Sequence, residues 1–121
     1  MPKIIVVETN SKYKIVDCGE VSSEQFSKSL NSAVEGWIEV VRPATGILEK
    51  GHVMIVNEEG HCKGLNLNLI GTKIYGYGII VGNVVICKES MADEGHVLFP
   101  FSDDEVEAVV KRLKLKLSTT F

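Results

Sequence analysis

His61 and Cys62 stand side by side, and with His52, His96, Cys18 and Cys87 they are the chain's soft metal ligands and thiol nucleophiles. A structural zinc site shows paired ligands at short spacing, and no such pair occurs here. On extended backbone neighbouring side chains point to opposite sides, so the pattern predicts one exposed histidine beside one buried cysteine. A reactive thiol needs an electropositive, part-exposed setting. Lys63 supplies the charge, but nothing orients a base or forms an oxyanion hole. Glu58 and Glu59 are adjacent, so only one can face a given cleft, and before Gly60 they read as solvated turn residues.

Two glycine patterns raise phosphate binding. Gly76-Tyr77-Gly78 opens like a dinucleotide fingerprint, but Val81 stands where the third glycine belongs, and the glycines precede a strand instead of opening a helix. Gly60 to Gly64, with Lys63 pointing inward, could form a looser anion nest. Trp37, the single tryptophan, reads as a core or rim side chain or as an aromatic anchor for a partner or base. No catalytic set, metal site or cofactor site follows, and the expectation is a protein that is not an enzyme.

The elements that must position these residues are marked by periodicity and breakers. Residues 3–8 read as a strand covered on both faces, and residues 13–17 as its hairpin partner across the turn at 9–12. A helix begins at Ser22 or Ser23, with Ser22 and Gln25 at capping-box spacing. Phe26, Leu30 and Val34 form its apolar stripe, and Gly36 is expected as its left-handed cap. Residues 37–41 and 52–57 are strands around a loop at 44–51. Asn68 caps a short helix through Ile74 or Tyr75. Residues 79–87 read as a long central strand with a bulge or close approach at Gly82, then a polar loop over 88–95 and a short extended piece at 97–99. In the last helix, residues 103–114, Ser102 and Glu105 form a capping box, and Phe101 and Val106 sit where a hydrophobic staple needs them. Acidic residues crowd its start and basic ones its end. Residues 118–121 are expected to fray.

These elements predict a single α+β domain over residues 1–121, a mostly antiparallel sheet of about five strands packed by the helices at 23–34 and 103–114. Thirteen basic against sixteen acidic residues, without basic clusters interleaved by aromatics, argue against nucleic acid. The first apolar run is too short for a signal peptide, and no stretch is long enough to span a membrane. Three widely spaced cysteines suit a reducing compartment, so the cytoplasm is the expected location.

Three stretches carry a resemblance: Gly36-Trp37-Ile38-Glu39-Val40-Val41, then Ile55-Val56-Asn57-Glu58-Glu59-Gly60 with Lys63-Gly64-Leu65-Asn66-Leu67-Asn68, and Ile80-Val81-Gly82-Asn83-Val84-Val85. Across residues 36–87 the chain resembles the domain-of-unknown-function family numbered three-eight-four-six, a group from bacteriophages and mobile elements. Its members often carry proline where Asn66 stands and a basic residue where Leu69 stands. The resemblance implies an accessory protein in a host cytoplasm, and by analogy one that occupies a host protein's surface or captures a signal nucleotide.

The corner from Asn57 to Asn68 is the expected recognition surface. Trp37, Asn57, Glu58, Glu59, Lys63, Asn66 and Asn68 are its candidate contacts. The favoured partner is a host protein bound stoichiometrically, for host takeover or counter-defence. The alternative is a nucleotide-like small molecule held by the backbone around Gly60 to Gly64, with Trp37 or Tyr75 stacking on a base. A homodimer would also cover a bare sheet edge.

Overall fold

The computed structural model describes residues 2–19, 23–92 and 95–117. The cap expected at Ser22, the His96 side chain and the end expected to fray at 118–121 lie outside the described residues. In chain order the elements are β1 (Lys3–Val7), β2 (Tyr13–Asp17), α1 (Ser23–Val34), β3 (Ile38–Val41) and β4 (His52–Asn57), then α2 (Leu69–Tyr75), β5 (Val84–Ala92), β6 (Gly95–Phe99) and α3 (Asp103–Leu117). Six strands form one antiparallel sheet in the order β2-β1-β5-β4-β3, with β6 paired to the outer half of β5. The α+β class stands as expected, with a sixth strand added.

Both faces of the sheet are covered, which is why β1 reads as an unbroken apolar run. Ile5 and Val7 join Met54, Val84 and Ile86 in the core beneath α2 and α3. Ile4 and Val6 join Val53, Ile55 and Val85 in the core beneath α1. Each such side chain contributes about 1.5–3 kcal/mol on burial. In α1, Phe26, Leu30 and Val34 are buried at four-residue spacing, as the stripe predicts.

The helix ends follow local chemistry, with one correction. In α3, the Ser102 amide donates to Glu105 Oε1 at 2.9 Å and the Glu105 amide donates to Ser102 Oγ at 3.2 Å, a complete capping box. At the end of α1, the Gly36 amide donates to the Asn31 carbonyl and the Glu35 amide to the Ser32 carbonyl, a Schellman pair. The left-handed residue is therefore Glu35, with φ 62°, and not Gly36. Gly36 is needed for space: a β-carbon there would come within 2.7 Å of Asn57 Nδ2.

Two segments differ from the sequence reading. Residues 88–92 are strand, not loop, and they pair with β6. Their polar side chains suit a sheet because they find ionic partners, Lys88 with Glu105 and Glu89 with Arg42. Residues 79–83 are not part of β5. Gly82 at φ 77° turns the chain, and before it only an isolated bridge joins Val81 to Leu67. The close approach expected at Gly82 is real, since a β-carbon there would lie 2.8 Å from Leu65 Cδ1.

Candidate functional site: a fastened ledge with an apolar rim

The segment between Asn57 and Asn68 is fastened at both ends by those two asparagines. β4 carries Asn57 out of the sheet at 5% exposure. Its Nδ2 donates to the Val34 carbonyl at 3.0 Å, and its Oδ1 accepts from the Glu59 amide at 2.8 Å. Asn68 is fully buried. Its Nδ2 donates to the carbonyls of Val7 and Gly82, both at 2.9 Å, while its Oδ1 accepts the Gly71 amide and caps α2. Asn57 is nearly buried and Asn68 fully so, with both Nδ2 hydrogens of Asn68 engaged, so both side chains face inward instead of outward as expected of partner contacts. They are polar because buried backbone groups need them.

Between them the chain coils through turns. Of the eight amides from residues 58 to 65, six donate within the protein: Glu58 to Trp37, Glu59 to Asn57, Gly60 to Asn57, Lys63 to Glu59, Gly64 to His61 and Leu65 to Gly60. An anion nest needs those donors to point outward, and three of the five amides from Gly60 to Gly64 are spent inside the protein, leaving only His61 and Cys62 outside this network. Lys63 does not point into such a nest either. Its Nζ would stand 3.3 Å from a β-carbon at residue 36, beside the C-terminal end of α1, where the helix dipole favours a cation.

The coiled backbone also overturns the expectation for the adjacent histidine and cysteine, because His61 and Cys62 are both exposed. His61 Nε2 lies 3.1 Å from the Ile79 carbonyl and donates to it, since a carbonyl can only accept. Among the described residues, no three His, Cys, Asp or Glu side chains gather as a metal site would require.

Trp37, immediately before β3, is 69% exposed, and its carbonyl accepts the Glu58 amide at 2.9 Å. Glu58, Glu59, Lys63 and Asn66 are also exposed. Beside them a cleft of about 250 Å³ is bounded by Glu39, Glu58, His61, Tyr75 and Ile79, with Val56 among its apolar lining. Tyr75 and Tyr77 meet edge to face at 5.5 Å. Leu67, Leu69, Tyr77 and Ile79 continue the apolar rim at 49%, 47%, 72% and 61% exposure. Among the described residues, Glu39, Glu58 and Glu59 make no ion pair.

A family model described as Domain of unknown function (DUF3846) matches residues 2–114. The chain belongs to that family. The match takes in β1, β2, α1 and most of α3, well beyond the segment at 36–87 that carries the sequence resemblance. No curated protein matches the chain, and no solved structure does.

In this DUF3846 chain the structure brings Trp37, Glu58 and the expected aromatic Tyr75 to one end of the sheet, and adds residues the sequence reading missed. Glu39, Tyr77 and Ile79 are the main additions. Tyr77 sits between the glycines of a failed phosphate fingerprint and Ile79 opens a run that reads as a central strand, and neither context signals exposure. The available signal was glycine on both sides of Tyr77, which favours a solvent-facing turn. A larger cavity of about 540 Å³ opens among Arg42, Leu48, Lys50, His52 and Glu89. There the Arg42 guanidinium is already bonded to Glu89 through Nε and Nη2, which holds the guanidinium pKa above its usual value. Among the described residues, no helix is long and apolar enough to cross a membrane.

Proposed function

We propose that this chain is a non-enzymatic binding protein, a phage or mobile-element accessory that occupies the surface of a host protein stoichiometrically in the host cytoplasm. The observation that carries the reading is that, among the described residues, five of the eight exposed large hydrophobics, Trp37, Leu67, Leu69, Tyr77 and Ile79, stand on the ledge or on the segments that adjoin it. Exposed apolar patches of this kind mark interaction sites, and tryptophan and tyrosine are the usual anchors. The internal bonds of residues 58–65 pre-organise the patch, so little ordering cost accompanies binding. The host context is supported by the resemblance to a phage and mobile-element group.

The experiment is affinity capture from host lysate with three chains: wild type, Trp37→Ala and Tyr77→Ala. One host protein recovered in equimolar amount by the wild type, and lost with either variant while their melting temperatures hold, supports the reading. Recovery unchanged by both substitutions, or no stable partner at native expression, removes it.

A second reading has its own observation. The cleft beside Tyr75 and His61 offers a stacking face and a polar wall to a nucleotide-like signal. Its size, about 250 Å³, falls below the ~300–1,000 Å³ of typical ligand sites, which ranks it second. Thermal-shift titration with cyclic and linear nucleotides decides it, because a melting temperature that never moves excludes the idea.

A further inference from the structure

We infer that β3 is a docking edge for an extended peptide segment carrying alternate basic side chains, an inference that rests on the binding role proposed above and names the partner's chemistry. β3 ends the sheet, and among the described residues its backbone pairs with β4 alone. Its other side therefore presents peptide groups to which a strand can add. The edge runs directly out of exposed Trp37, so an added strand would reach the apolar rim. Glu39 and Val41 line the same cleft as Val56, Glu58 and Ile79, so alternate side chains of an added strand would hang over that cleft.

Charge selects the occupant. Glu39 and Glu58 flank the cleft, Glu59 follows, and none is neutralised by an ion pair among the described residues. A lysine or arginine over the cleft would meet two carboxylates, whereas a second copy would bring more like charge to the same face. The opposite edge, β2, differs: its Lys14 pairs with Glu8, and the surface beside Ile15 carries Lys111 and Lys114 against the single acid Glu107.

The test uses the full chain and two synthetic peptides of about ten residues, one alternating lysine with valine and one alternating glutamate with valine. Amide hydrogen exchange and fluorescence anisotropy are read together. The expected result is protection of Ile38–Val41 by the lysine peptide alone, with affinity lowered at least about tenfold by Glu39→Lys and by Glu58→Lys. Equal binding of the glutamate peptide, protection of Tyr13–Asp17 instead, or no protection overturns the inference. So does a wild-type chain that sediments as a dimer with β3 protected in the absence of peptide, which would give the edge to a second copy. If β3 stays unprotected while Trp37-dependent capture persists, this inference fails and the binding role stands. If capture ignores Trp37, the broader reading fails.

Discussion

Asn68 Nδ2 donates to the Val7 carbonyl at 2.9 Å across 61 residues of sequence. The same nitrogen reaches the Gly82 carbonyl, so one side chain joins the end of β1, the start of α2 and the turn before β5. Asn68→Ala removes the bonds to the Val7 and Gly82 carbonyls and takes the cap from the Gly71 amide. The expected loss is about 3 kcal/mol, or roughly 10 °C in melting temperature, measured by urea and thermal unfolding. Asn68→Asp keeps the cap acceptor but sets a carboxylate against two carbonyls, and should lose as much. A loss near zero for both would mean that the ledge is held some other way.

His52 makes acid sensitivity specific. Burial holds its pKa below the ordinary 6.5, aided by Lys88 and Arg112 and opposed by Glu49 and Glu105. Its Nδ1 is buried without a hydrogen-bond partner, and its ring meets Phe101 edge to face at 5.1 Å. Between the folded and unfolded pKa values the unfolded chain binds the extra proton, so stability is full above about 6.5 and declines as pH falls through the folded value. Glu105, held below the usual carboxylate range by Lys88 and then by Ser102, adds a separate loss further into acid. Urea titrations across this range should show the first decline removed in His52→Gln and the second retained.

Trp37→Ala should leave stability within about 0.5 kcal/mol of wild type, because the side chain is 69% exposed. As the sole tryptophan it also reports its own surroundings. Emission of the free protein should be that of a solvated indole, shifting to the blue when a partner covers the rim. A blue emission maximum in the free chain would contradict the exposure on which the proposed binding surface depends.

The three cysteines should separate cleanly toward a thiol reagent. Cys62 is exposed, Cys18 is half-buried with its pKa raised by burial and by Asp17, and Cys87 is buried with its pKa pushed up to about 12 by burial and then by Glu89 and Cys18. One rapid equivalent, one slow one and a third only on unfolding is the expected pattern. Cys62→Ser should abolish the rapid phase alone.

Much of this fold was legible because its strongest signals are local. The α3 capping box, the α1 stripe and the Asn68 cap each depend on residues three or four positions from the next, and the structure repeats them. What was hidden depends on distant partners. Lys88 and Glu89 look like loop residues until Glu105 and Arg42 are placed beside them, which makes a strand at 88–92 tolerable. Asn57 and Asn68 look like surface because polar type says nothing about which carbonyl lies nearby. Tyr77 and Ile79 failed in the opposite sense, as apolar residues left outside the core. The candidate site was therefore legible only as a stretch of exposed residues that includes Trp37 and Glu58, and its cleft was not.

The strand order has a consequence for synthesis. β5 is translated late, yet it lies between β1 and β4, which are translated early. The hairpins β1–β2 and β3–β4 can each close as they leave the ribosome, but they cannot join until the stretch Val84–Lys88 has emerged. Until then Ile5, Val7, Met54 and Ile55 lack the strand that covers their edges, and a nascent chain stalled there is a natural client for chaperones.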